Sequence, residues 1–401
     1  MDTSLKKILY YVPNIDQSNG GVRQYALNLL KTLAELSTMK LKLYVYHNLS
    51  DQEFLEIINA NDNCILVKDD DINTPKIKRE NKKRRRWAGL FQFLNGKTPY
   101  RFRQLLPLDE FLKAKEISFL HVPFQFVPET NTTLKIISTL HDVQELHFPS
   151  YFSAEERAYR AKTYLDCARK SYKVVVSYDH VARDVQTFFN VKPEDVLVCL
   201  LNMNNLWFSK FENDQTTAIV NSYNRDYLFY PANLWPHKNH KRLLEAFKIV
   251  INKIDQPISL VLTGNVNSEQ GRALMTHVET LGLSNTVIFA GVLDDLQMYT
   301  TYKKALGVVV PTLYEAGSFP LMEAILMNIP VICSNVTSLP ETIGDDQFVF
   351  DPYDASDLAA HIIQLVTDES FRAKSIANAE KMSKRLTNTG AETVLKHLYL
   401  E

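Results

Sequence analysis

The reading of this chain turns on "LGVVVPTLYEAGSFPLMEAILM", residues 306–327. Its first part carries three consecutive valines with no polar residue between them, so it reads as a strand covered by helices on both faces. Pro320 suits the first turn of a helix, where its missing N–H costs nothing, so a helix is expected from Pro320 to Met327, ending at "NIP". Glu315 then lies in the loop before the helix, and Glu323, eight positions on, lies about one turn inside it. Between them the amides of Gly317, Ser318 and Phe319 point out of a helix N-terminus, which attracts anions. Carboxylates accept from hydroxyls while amides take phosphate, so the strand–turn–helix suits a hydroxyl-rich, phosphate-bearing ligand.

The same strand signature recurs outward in both directions. In the first half it appears at 7–12, 41–46, 64–67, 117–122, 135–140 and 173–177, and in the second at 196–201, 227–231, 258–264, 286–291, 306–311 and 330–334. Between these runs, "VRQYALNLLKTLAEL" (22–36) and "HKRLLEAFKIVINKI" (240–254) place apolar residues at helical spacing. Alternating strands and helices imply α/β architecture. The expectation is two doubly wound domains, 1–195 and 196–385, with a break near 190–205 and a terminal helix at about 386–401 able to pack back on the first domain.

Bulk composition narrows the function. The 401 residues are 45% apolar and carry a net charge of −1, so the chain is globular and no overall field recruits nucleic acid or membrane. Cys64, Cys167, Cys199 and Cys333 are scattered without a CxxC pair, which suggests neither zinc nor a disulfide framework and fits a reduced compartment. The apolar run at the N-terminus is too short for a signal peptide, and no window approaches a membrane span of about 20 apolar residues. The protein is expected in the cytoplasm, with any membrane contact peripheral.

Three further stretches have two readings each. "LVKDDDI" (66–72) offers a DxD that could hold a divalent metal, but no matching unit follows, and an exposed acidic turn is the better reading. His237 and His240 have i,i+3 spacing but no acidic or thiol partner nearby, so capping or a place beside a phosphate is preferred to metal ligation. Eight basic residues fall within 76–86, and Trp87, Leu90, Phe91 and Leu94 follow as a helical stripe. That run is either a solvated charged loop leading to a packed helix or a contact for an anionic membrane.

The Glu-x7-Glu pair at the end of a C-terminal strand resembles the signature of glycosyltransferase family 4, retaining enzymes of GT-B fold with two Rossmann-like domains facing across a cleft. The segment "VVVPTLYEAGSFPLMEAILMNIPVICSNVTSLPE" reads in register with that family. In order along the chain, "SNGGVRQYALNLL", "STLHDVQELHFPSYFSAEERAYR", "YPANLWPHKNHKRLLEAF", "LVLTGN" and "LSNTVIFAGVLDD" are similar to its other units, so the resemblance covers most of residues 6–365.

The resemblance implies roles for individual residues. Glu315 would hold donor-sugar hydroxyls, Glu323 would accept from the ribose, and Lys238 would neutralise the diphosphate. Gly20 and Gly21 would let backbone approach that diphosphate from the opposite domain. His141 would face sugar and acceptor, Leu293 would lie by the base, and Gly264 would belong to the donor side. Catalytic duty would fall to His141, Lys238 and Glu315. Two departures stand out. Ala316, Gly317 and Ser318 replace a common Gly-Phe-Gly, which leaves the amides in place, and Asn233 replaces a common arginine, for which His237 or Lys241 would substitute.

The implied reaction moves a hexosyl unit from a nucleoside diphosphate sugar to a glycan or lipid-linked acceptor hydroxyl without metal or other cofactor. The variant "WPHKNH" leans toward GDP-mannose. The alternatives are a nucleotide-sugar epimerase or phosphorylase of the same fold, or a non-catalytic scaffold binding polyanions through the basic run. Nucleic-acid binding is not expected, because no stacking platform accompanies that run.

Overall fold

A computed structural model describes residues 5–15, 20–37, 40–48, 51–95, 104–203, 207–211, 223 and 225–400, without the side chains of 89, 90 and 92–95. Its strands form two separate, wholly parallel sheets. The first is built from β1 (Lys6–Tyr11), β2 (Leu41–Tyr46), β3 (Cys64–Val67), β4 (Phe119–Val122), β5 (Lys135–Thr139), β6 (Lys173–Val176) and β7 (Val196–Val198), in the order β3-β2-β1-β4-β5-β6-β7. The second is built from β8 (Asp226–Tyr230), β9 (Ile258–Thr263), β10 (Val287–Gly291), β11 (Gly307–Val310), β12 (Val331–Ser334) and β13 (Val349–Phe350), in the order β10-β9-β8-β11-β12-β13.

Both sheets are doubly wound. The strand order reverses between β1 and β4 in one and between β8 and β11 in the other. At such a switch point the loops leaving neighbouring strands diverge to opposite faces and open a crevice at the strands' carboxyl ends. The unbroken apolar runs are explained by burial on both faces. In β1, Ile8 and Tyr10 join one core while Leu9 joins the core beneath the opposite face.

One expectation needs correction. The run at 196–201 is expected in the second half, yet Val196–Val198 pairs with β6 and forms the edge of the first sheet. A run reads as a strand without saying which sheet it joins, and the break was set just before it. The two-residue β13 was not anticipated, since it is too short to leave a pattern.

The chain passes between the lobes twice, along adjacent paths. Cys199 and Leu201 lie in the first core and Met203 in the second. On the return, Leu386 lies in the second core and Ala391 in the first. The two crossings are tied together. Met203 N–H donates to Leu386 O at 2.9 Å, and the Thr389 hydroxyl donates to Asn202 Oδ1 at 2.7 Å. The last helix, Ala391–Leu400, places Leu395 and Tyr399 in the first core, where the Tyr399 hydroxyl meets His121 Nδ1.

The basic run is no loop. It is the first half of a single helix, Pro75–Asn95. No helix among the described residues is long and apolar enough to cross a membrane.

Candidate active site

A cavity of about 440 Å³ lies between the lobes at the switch points of both sheets. The first lobe contributes Gly21 and Tyr25 from the helix after β1, and His141 and Asp142 after β5. The second contributes Trp235, His237 and Lys238 after β8, and Tyr314, Glu315, Gly317 and Phe319 after β11.

Lys238 and Glu315 form an ion pair here, although 77 residues separate them, and each side chain is only 12% exposed. Loop-to-loop bonds explain the meeting. His237 O accepts from Leu313 N at 2.7 Å and from the Thr312 hydroxyl at 3.0 Å. Asn239 turns through a left-handed conformation (φ 61°), and its side-chain amide donates to Pro311 O and Pro352 O, both at 2.9 Å. Glu315 is held from behind. Its N–H donates to the Thr337 hydroxyl, and its carbonyl accepts from the Ser338 hydroxyl, both at 3.2 Å.

The helix beyond Glu315 runs Phe319–Leu326, one residue earlier than expected at each end. Ser318 caps it without a side-chain bond, and its buried hydroxyl has no hydrogen-bond partner among the described residues. The helix end therefore presents backbone amides and no side-chain acceptor. Across the cleft, Gly20 starts the helix Gly20–Leu36 at φ 50°. A Cβ on Gly21 would stand 3.0 Å from the Phe319 ring, and one on Gly317 would stand 3.0 Å from the Tyr178 ring. Both glycines thus sit where the two lobes come into close approach.

His141 has one ring nitrogen engaged. Nε2 donates to Pro123 O at 3.1 Å, and burial pushes the imidazole below its ordinary value, so Nδ1 is the acceptor. The Tyr25 ring packs edge-on against it at 4.7 Å, and the Tyr25 hydroxyl bonds Thr139 Oγ1 at 3.3 Å.

Other expected residues lie elsewhere. Asn233 is exposed, Gly264 and Leu293 are outside the cavity lining, and Gly20 flanks it without lining it. Gly264 is explained by backbone. Its φ is 111°, and a Cβ would stand 3.1 Å from Ala232 O. Glu323 is also outside the lining, with both carboxylate oxygens engaged. Trp207 Nε1 and the Tyr302 hydroxyl each donate to it at 2.7 Å. Burial raises its pKa, and these two donors oppose the rise. Its carboxylate is thus held by protein donors away from the cavity where the expected ligand contact would lie.

His237 does not replace the missing arginine charge. Burial and the adjacent Lys238 lower its pKa to about 3, as they do for His240, so both rings are neutral near pH 7. Lys241 is exposed and outside the lining. The acidic turn is spent locally. Asp69 accepts from the Tyr46 hydroxyl at 3.2 Å and Asn73 Nδ2 at 2.6 Å, and Asp71 accepts from Lys68 N at 2.8 Å. Among the described residues no group of three or more His, Cys, Asp and Glu is placed to hold a metal.

Sequence reasoning missed several residues. Arg160 lines the cavity, and its guanidinium donates to Asp142 at 3.3 Å, Glu145 at 3.2 Å and the Tyr164 hydroxyl at 2.9 Å. Tyr314 reaches into the first lobe, where its oxygen accepts from Val143 N at 3.3 Å and its ring packs on His147. Tyr178 reaches the opposite way, toward Met322 and Gly317. Adjacency to Glu315 was the one available signal for Tyr314. Trp207 follows no periodic pattern that could have marked it.

Comparisons with known proteins agree with this architecture. A family model described as Glycosyl transferases group 1 matches residues 213–382. O-antigen chain mannosyltransferase B of Escherichia coli is 26% identical over 256 residues, which is 62% of this chain and 67% of that protein. The serotype-specific mannosyltransferase WbdA of Escherichia coli is 31% identical over 163 residues, covering 39% of this chain and 20% of that protein. HepE of Anabaena, solved in complex with UDP and glucose, superposes with a TM-score of 0.63 at 16% identity, covering 98% of this chain and 99% of that one. The chain has the GT-B fold, and its second lobe, matched by the group 1 model, supports a GT-B glycosyltransferase.

Proposed function

We propose that this protein transfers a hexose, mannose from GDP-mannose foremost, to a hydroxyl of a glycan or lipid-linked acceptor with retention of anomeric configuration. The observation that carries the reading is the Lys238–Glu315 pair at the β8/β11 switch point, beside the helix N-terminus at Gly317–Phe319. A cation and fixed amides suit a departing diphosphate, because they stabilise its charge without reorganising. Glu315 then takes sugar hydroxyls beside the lysine, and His141 Nδ1 accepts another from the first lobe. The bond from the anomeric carbon to phosphate breaks, and one to the acceptor oxygen forms on the same face. The acceptor proton passes to the leaving phosphate oxygen, so no protein base is required. Closure of the lobes brings the Gly20–Gly21 helix terminus toward the diphosphate. Similarity to two mannosyltransferases supports the sugar.

The deciding experiment is a thermal-shift series against GDP, UDP, dTDP and their sugars with and without chelator. NMR of the product anomer completes it. Stabilisation by GDP and GDP-mannose, insensitivity to chelator and an α-linked product are expected. Stabilisation by no nucleotide, or an inverted product, defeats the reading. The helix Pro75–Asn95 supports a place at an anionic membrane surface, since eight basic residues precede Trp87, which is 52% exposed. Co-sedimentation with anionic vesicles, lost at high salt and absent with neutral ones, is the expected result.

A further inference from the structure

The first lobe has its own cavity, of about 520 Å³, at its β1/β4 switch point. Tyr11 ends β1, and Pro13, Asn14 and Ile15 follow it, while Phe124, Gln125 and Phe126 follow β4. Val22 and Arg160 line both this cavity and the interlobe one, so the two are neighbours.

Its walls are aromatic. Phe124 and Phe126 stack with centroids 6.1 Å apart and planes 15° apart. Tyr159 stands at the rim, 66% exposed, far more than such a ring needs for packing. Amide side chains from Asn14 and Gln125 are interspersed. Flat apolar rings beside amides suit a pyranose, whose C–H face lies on a ring while its hydroxyls reach the amides.

The charge balance narrows the ligand further. Among the described residues lining the cavity, Arg160 is the sole cation, and Asp142 and Glu145 already engage it. Glu156 adds a carboxylate, with Oε2 accepting from Ser153 N at 2.8 Å. The charge around the described lining is therefore net negative, which opposes a phosphate or a uronic acid.

We infer that this cavity binds the neutral sugar end of the acceptor glycan, and that Tyr159 and Glu156 set its preference for neutral over anionic ends. The inference rests on the glycosyl-transfer reading, but a binding measurement without nucleotide separates the two. Nucleotide-free protein is titrated with mannotetraose and with an oligosaccharide of equal length ending in glucuronic acid. The neutral ligand is expected to bind at least about tenfold tighter. Tyr159→Ala should weaken it about five- to tenfold, as loss of one ring contact does, and Tyr159→Trp should restore it. Glu156→Gln, which keeps the helix cap, should narrow the gap between the two ligands. In transfer assays Tyr159→Ala should raise the acceptor KM by the same factor and the donor KM less than about twofold.

Unchanged affinity in Tyr159→Ala, or a preference for the acidic end, overturns the inference even where GDP binds normally. Tyr159-dependent sugar binding in a protein that binds no nucleoside diphosphate upholds the cavity and overturns the transferase reading.

Discussion

The two switch points share one topology and hold opposite chemistry. The one at β8/β11 is electrostatic, with Lys238 and Glu315 paired at 12% exposure beside a helix N-terminus. The one at β1/β4 is aromatic, and the one cation among its described lining residues is matched by two carboxylates. The same backbone geometry thus builds a grip for a charged leaving group in one lobe and a platform for a neutral ring in the other. Fold sets where a ligand sits, and the side chains after each strand decide what it is.

The largest expected effect comes from removing the electrostatic grip. Lys238→Ala should lower turnover about 100- to 1,000-fold, the cost of losing one preorganised donor to a developing anion. Steady-state kinetics at saturating donor measures it, and a loss below about threefold would dissolve the contrast between the lobes. Next, Glu315→Gln keeps shape but removes the charge facing Lys238. Turnover should fall about 10- to 100-fold, in line with a charged hydrogen bond. An equal fall with donors lacking a hydroxyl at each sugar position in turn would show that Glu315 holds none of them.

A third prediction concerns acid. His121, His237 and His240 have pKa values lowered to about 3 by burial, against an ordinary 6.5, with Lys238 adding to the effect on His237 and His240. Below about pH 6.5 the unfolded chain takes up protons that the folded chain refuses until about pH 3. Stability from these groups is therefore present above pH 6.5 and lost as pH falls toward 3. Melting temperature should drop through this window, and His237→Gln should drop less than the parent. Parallel curves would remove His237 from the account. The smallest effect belongs to the clasp between lobes. Tyr314→Phe leaves the buried Val143 N–H without its acceptor, at about 1–2 kcal/mol, or roughly 2–4 °C in melting temperature. No change would mean that the bond forms only in the closed arrangement.

Much of this was legible in the sequence, and the residues show why. The valine runs announced buried parallel strands because burial on both faces erases alternation, and the switch-point loops carried the cleft residues in strand order. Glu315 and Lys238 meet because each follows a strand at the switch point, which the resemblance to a known family had already implied. What escaped was set by tertiary partners. Trp207 and Tyr302 bind Glu323 from distant segments, and nothing local marks them. Val196–Val198 reads as a strand but joins the sheet that its neighbours in sequence leave. His237 looked like a spare cation, and burial beside Lys238 makes it neutral. The aromatic cavity draws Tyr11, Phe124 and Tyr159 from three segments whose spacing forms no motif.

The returning helix Ala391–Leu400 has a consequence for synthesis. Leu395 and Tyr399 complete a core begun by Ile8 and Tyr10, so synthesis must run past Tyr399 before the lobe that holds Ile8 can close. At about 5–20 residues per second the second lobe, whose core ends near Leu386, is finished while its elder neighbour still exposes an apolar face. The order of birth and the order of maturation are reversed, and a chaperone holding nascent chains would find its client in the amino-terminal half.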